Sequence, residues 1–206
     1  MTRTPEITNV ARRSVLLGLA AGSFVLSVRL SAPAQAQDKK FGGEGMPGGV
    51  KDDPKLFLSI ADDGTVTLLC IRAEMGQGIR TGFQTVIADE LGADLGRVKV
   101  MQAPGNQAKF GNQDTDGSRS MRHHFLPLRR IAAATRQMLA EEAAAKWGVP
   151  VTEVKADNHG MVHGPSNRRL EFGALAKGAA ARPVPPADKL VLKLSLIHIS
   201  EPTRPY

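Results

Sequence analysis

One cysteine in 206 residues sets the first limits. Cys70 alone excludes an internal disulfide, a Cys-ligated zinc site and an iron–sulfur cluster held by this chain by itself. It sits in the apolar run Thr65–Ile71, where a buried small hydrophobe is the simplest reading. Large aromatics are nearly as scarce, with one tryptophan, one tyrosine and seven phenylalanines. Tyr206 is the terminal residue, so a base-stacking platform has little to build on. Hydrophobic runs long enough to span a bilayer are also missing. The longest, Val15–Val28, is short of the ~20 residues a spanning helix needs. No internal repeat or low-complexity block is visible.

The net charge of +7 is not spread evenly. Between Gln37 and Lys193 the chain holds 22 basic and 18 acidic residues, a net of +4. That is a mildly basic surface of the kind that keeps proteins soluble, which argues against nucleic-acid binding.

Both ends read differently from the middle. Arg12-Arg13 precede the apolar run, and Ala34-Gln35-Ala36 supplies a small-x-small cleavage pattern. Residues 1–36 are therefore expected to be a twin-arginine export signal, with an ordinary secretory leader as the alternative. Ala11 and Val15 depart from the usual residues around the arginine pair. The twin-arginine route carries folded proteins and so suits a chain that buries a cofactor before export. Residues 194–206, beginning Leu194-Ser195-Leu196-Ile197-His198, read as a translated sequencing adapter and are not expected to belong to the fold.

Residues 37–54, rich in Gly and Lys, are expected to link leader and body. In the body, residues 55–193, Leu56–Ile60 and Thr65–Ile71 are β-rich runs around Asp62-Asp63-Gly64, which predicts a hairpin. Phe83, Val86, Ile87 and Leu91 fall at helical spacing and predict a helix over Ile79–Leu91 stopped by Gly92. Arg97–Met101 alternates as a half-exposed strand, and Pro104–Gly117 is a polar loop without periodicity. Ser118–Trp147 predicts one long alanine-rich helix, with Pro127 near its start or kinking it, closed by Gly148. Val154–Phe172 predicts two strands around His159-Gly160, and Gly173–Ala181 a short helix. The fold class is α/β, mixed short strands with two main helices.

Two loops could carry chemistry. Glu74-Met75-Gly76-Gln77-Gly78 joins a strand to a helix, where N–H groups attract anions and the glycines let a ligand approach the main chain. Gln77 adds an amide donor and acceptor. Asp116-Gly117-Ser118-Arg119-Ser120 opens the long helix and could form a second anion cradle. Taken bare, the first also reads as a turn and the second as a serine N-cap. Neither matches a Rossmann or P-loop spacing. His123-His124 read as helix-surface residues. His159 and His163 are separated by Gly160, which argues against a helix that would align them on a metal.

In this order, Glu-Met-Gly-Gln-Gly, a helix, a strand, a polar loop, Gly-Ser-Arg-Ser and an alanine-rich helix ending Lys146-Trp147-Gly148-Val149 resemble one family. It is the isoquinoline 1-oxidoreductase beta-subunit type within the xanthine dehydrogenase and aldehyde oxidase superfamily of molybdenum hydroxylases. Arg168–Gly173 fits as well, and the likeness covers about Pro54 to Lys189.

The resemblance implies part of a molybdopterin-binding domain over residues 55–193. Gly76, Gln77, Gly78, Gly117, Ser118 and Ser120 would contact the pterin and its phosphates. The cofactor would be molybdopterin with molybdenum, in its cytosine dinucleotide form. A separate small iron–sulfur subunit would carry [2Fe–2S] clusters. The parent enzyme would hydroxylate an N-heteroaromatic ring or oxidise an aldehyde with water-derived oxygen. After twin-arginine export it would be periplasmic, free or membrane-associated. The family's catalytic glutamate belongs near the far C-terminal end of the whole enzyme, so no catalytic residue is expected here and the chain alone would be inactive. Glu74 is expected to pair with an arginine or with helix N–H groups. A non-enzymatic periplasmic binding or scaffold module is the alternative.

Overall fold

The computed structural model describes residues 49–193. The expected leader, most of the expected linker and the adapter-like tail lie outside the described residues.

The predicted hairpin forms. β1 (Leu58–Ile60) pairs antiparallel with β2 (Val66–Cys70), Ile60 opposite Val66. Asp63 fixes the turn by accepting from the Thr65 N–H at 2.7 Å, and Gly64 takes a φ of +86° that other residues rarely adopt. Leu56 and Phe57 differ from expectation. They belong to a helical turn, α1 (Pro54–Phe57), because Asp53 caps the Lys55 N–H and Pro54 presets the first φ. Residues 49–54 are tied to the body through a bridge between Val50 and Gly111 and a bond from the Asn112 N–H to the Gly49 carbonyl.

From β2 the chain runs through the glycine loop into α2 (Ile79–Leu91) and returns as β3 (Val98–Gln102), parallel to β2. This β–α–β unit makes a sheet ordered β1-β2-β3. Val66, Leu68 and Cys70 alternate inward from β2 and meet Phe83, Ile87 and Leu91 from α2. Gly92 ends α2 in the left-handed region, as predicted. The polar loop contains one short helical turn, α3 (Gln107–Phe110), capped by the Asn106 side chain.

The long helix α4 (Arg119–Trp147) has 29 residues, about 43 Å at 1.5 Å each. Pro127 lies well inside it, away from the start. Ala132, Ala133, Ala140, Ala143 and Ala144 are buried, and such small side chains let α2 and α5 (Phe172–Ala181) lie close against it.

The second sheet is a three-stranded antiparallel meander, β4 (Val154–Asp157), β5 (Gly160–His163) and β6 (Arg168–Glu171), where two strands were expected. The additional reversal uses the 3₁₀ turn Gly164–Ser166 and Asn167 at φ +51°, an asparagine filling a role usually signalled by glycine. His159 stitches the two halves together. Its Nδ1 accepts from the Asp94 N–H at 3.1 Å, which leaves Nε2–H to donate to the Gly64 carbonyl at 2.8 Å. His163 is likewise buried, between Ser166 and Glu153. Among the described residues, no group of three or more His, Cys, Asp or Glu side chains could hold a metal ion, and no helix is long and apolar enough to cross a membrane.

Candidate cofactor-binding loops

The glycine loop is organised by Glu74. Its Oε1 accepts from the N–H groups of Gly76 and Gly78, both at 2.9 Å, and Oε2 accepts from the Arg80 N–H at 3.1 Å. The carboxylate thus takes the helix N–H position that the sequence suggested for it. The N–H groups of Arg80 and then Gly78 hold its carboxyl below the ordinary glutamate range. Gln77 also turns inward on the loop. Its Oε1 accepts from the Met75 N–H at 2.6 Å, and its Nε2 donates to the Ala73 carbonyl at 2.8 Å. What remains open is the glycine surface. Gly76 and Gly78 have φ of +96° and +77°, and a Cβ built on either would meet nothing within 4 Å.

The second loop is arranged differently. Gly117 and Ser118 both have positive φ, at 51° and 54°, and Ser118 makes no side-chain cap to α4. The expected N-cap bond is therefore absent, and the helix start holds no acidic residue. The Arg119 N–H donates to the Asp116 carbonyl at 2.9 Å, and no carboxylate side chain caps this helix start, unlike that of α2, which Glu74 engages. Arg119 folds back onto Asp116 through two hydrogen bonds. Gly76, Gln77, Gly78, Gly117 and Ser118 are exposed, whereas Ser120 is buried at 8% and does not share their surface.

One hydrogen bond joins the loops, from the Ala73 N–H to Thr115 Oγ1 at 2.9 Å. Beneath them Arg72 is wholly buried at the end of β2. Burial lowers its pKa, and the carboxylates of Asp114 and Asp116 oppose that shift. Cys70 lies just below, its thiol donating to the Arg72 carbonyl at 3.3 Å, and burial pushes its pKa up. Buried and bonded in this way, it has the character of a core residue.

His124 corrects an expectation. It is 3% exposed and lies 5.9 Å from the Phe83 ring, because α2 covers this side of α4. Its Nδ1 donates to the Ser120 carbonyl at 2.9 Å, and Nε2 is buried without a hydrogen-bond partner. Burial, followed by the Arg72 charge, pushes its pKa down to about 4. The unfolded chain therefore takes up a proton near 6.5 that the folded chain refuses until about 4. Stability falls as pH drops through that window and levels off below it. An NMR titration should show the His124 ring unprotonated at pH 5.5; a midpoint near 6.5 would contradict this.

Known proteins align with this arrangement. The model of the molybdopterin cofactor-binding domain family matches residues 6–194. The chain belongs to that family.

Its curated relatives include the beta chain of isoquinoline 1-oxidoreductase from Brevundimonas diminuta, 33% identical over 83% of this chain and 22% of the relative. Another is a membrane-bound aldehyde dehydrogenase [pyrroloquinoline-quinone] of Gluconacetobacter polyoxogenes, 33% identical over 72% of this chain and 19% of that protein. The chain thus spans about a fifth of the length of these relatives. Among solved structures, quinoline 2-oxidoreductase from Pseudomonas putida 86 aligns at 22% identity over 60% of this chain and 15% of that one, with a TM-score of 0.49.

The residues of this molybdopterin-domain chain fit a flat, phosphate-bearing group on one side. Open glycine main chain lies at Gly76 and Gly78, and an uncapped helix start lies at Ser118. Sequence reasoning missed Thr115 as the tie between the loops and Arg72 beneath them. Arg72 carried one signal, a cation directly after the apolar run Thr65–Ile71.

Proposed function

We propose that this chain supplies the cofactor-gripping loops of a larger exported oxidoreductase that hydroxylates N-heteroaromatic compounds or oxidises aldehydes. The observation that carries the reading is the Ala73–Thr115 bond, which sets two open helix-start loops side by side in a chain of this family. Gly76 and Gly78 would admit the pterin to the main chain, and Gly117 and Ser118 would receive its phosphates at the start of α4. Gln77 would act through the loop, since both ends of its amide brace Ala73 and Met75. Ser120 would shape the helix start from below.

Molybdenum, when bound, supplies the redox and oxygen-transfer chemistry, and the protein supplies orientation and exclusion of water. The cytosine dinucleotide form, a partner subunit with [2Fe–2S] clusters, twin-arginine export and a periplasmic location complete the proposal. Relatives named as subunits, one of isoquinoline 1-oxidoreductase and one of nicotinate dehydrogenase, support a multi-subunit assembly. Turnover would depend on residues beyond this chain, which alone would be inactive.

Gln77→Ala, introduced into a longer protein containing this chain, should lower the molybdenum and pterin content of the purified enzyme. Metal content equal to wild type, measured by mass spectrometry, would contradict the role given to the loop.

A further inference from the structure

Glu90, in the last turn of α2, is 1% exposed and gathers three donors. Arg129 Nε reaches Oε2 at 2.8 Å and Arg136 reaches Oε1 at 2.9 Å, both from α4. The third donor is the Lys193 main-chain N–H, at 2.7 Å from Oε1. The same arginines bind carbonyls of that segment. Arg136 donates to the Val191 carbonyl at 2.5 Å, and Arg129 donates to the Lys193 carbonyl. At the other end of the segment, the Arg182 side chain reaches Glu142 at 3.0 Å. Residues 182–193 therefore run as a strap antiparallel to α4, from Glu142 back past Arg136 to Arg129. Nothing in the cofactor reading uses this network.

We propose that Glu90, Arg129 and Arg136 form a binding site for an extended peptide main chain, occupied here by residues 191–193 of the chain itself. The site offers one carboxylate acceptor flanked by two guanidinium donors. It matches the carbonyl of one residue and both the N–H and the carbonyl of the residue two further on. An extended segment presents those groups on one edge, and the Lys193 side chain adds a bond of its own from Nζ to the Asp89 carbonyl. At Val191 the main chain alone is held, since its side chain is 79% exposed while its carbonyl is bound.

Tryptic cleavage after Lys189 in the folded 206-residue chain reads how often the strap opens. Lys193→Pro removes the N–H that Glu90 accepts, and cleavage should accelerate ~10-fold or more. Glu90→Gln should accelerate it similarly where the variant stays folded, judged by amide protection within α4. Val191→Ser should change the rate by no more than about twofold, as exposed substitutions do. If Glu90→Gln fails to fold, Lys193→Pro still decides when set against Lys193→Met, which keeps the N–H to Glu90 and loses only the Nζ bond to the Asp89 carbonyl. Opening in Lys193→Met equal to that in Lys193→Pro would overturn the proposal. A wild-type rate in Lys193→Pro would overturn the proposal. So would Val191→Ser opening the strap as far as Lys193→Pro does.

Discussion

Glu90→Ala is expected to lower the stability of this domain by about 3–5 kcal/mol, the usual cost of removing one partner from a buried ion pair. In thermal melts that is a fall in Tm of roughly 10 °C or more for a domain of this size. The magnitude follows from what is left behind. Arg129 and Arg136 are mostly buried, at 12% and 17% exposure, and each was matched by the one carboxylate. The attraction is not itself the large term. Two desolvated guanidiniums without their counter-charge are. Replacing Glu90, Arg129 and Arg136 together by Leu, Met and Met should recover the part of the loss owed to unmatched charge, because buried ion pairs often roughly break even against apolar side chains of similar volume. The main-chain groups of Val191 and Lys193 would still lose their partners. A triple variant less stable than Glu90→Ala would contradict this accounting.

Gly173→Ala is expected to destabilise the fold by about 1–3 kcal/mol, although alanine is the better helix former by up to ~1 kcal/mol. A Cβ at Gly173 would lie 2.2 Å from the Asp62 carbonyl oxygen and 2.8 Å from the Gly64 nitrogen. Both are backbone atoms of the β1–β2 turn, and that turn is held in place by Asp63 and by His159, which bonds the Gly64 carbonyl. The clash can be relieved only by moving α5 away from the hairpin. Gly178 is the informative comparison. Its Cβ would also approach to 2.2 Å, but the contact is the Glu142 carboxylate, the end of a side chain that can shift at the cost of loosening its ion pair with Arg182. Gly178→Ala should cost less than Gly173→Ala in urea unfolding. The reverse order would show that helix propensity, and not the close approach at the turn, governs α5.

The same contrast between local and distant causes explains which parts of the structure were legible in the residues. The helix Ile79–Leu91 was readable because Phe83, Ile87 and Leu91 repeat at its period and Gly92 stops it. The hairpin was readable because Asp63 and Gly64 specify their own turn. β6 was not, since Arg168-Arg169-Leu170-Glu171 offers a single apolar residue and its turn relies on an asparagine. α3 is four residues long, too short for any period to declare itself. His124 misled because Arg122 and His123 precede it with polar residues typical of a surface; the covering by α2 is a tertiary fact. At the site, the glycines announced the position of both loops. Which polar groups the loops spend on themselves could not be read, because the inward turn of Gln77 and the Ala73–Thr115 tie depend on the assembled loops.

The central claim is that the open glycine surface beside the start of α4 receives the cofactor. Gly78→Leu and Gly148→Leu make a matched pair for testing it. Both glycines sit at helix ends in the left-handed region, φ +77° and +65°, with no atoms near the added Cβ. Both substitutions should cost comparable backbone strain. Only Gly78 lies in the proposed site. Molybdenum and pterin should be measured in a longer protein containing this chain, normalised to folded protein. The account predicts a large loss of both in Gly78→Leu and wild-type content in Gly148→Leu. Equal content in the two variants would contradict it.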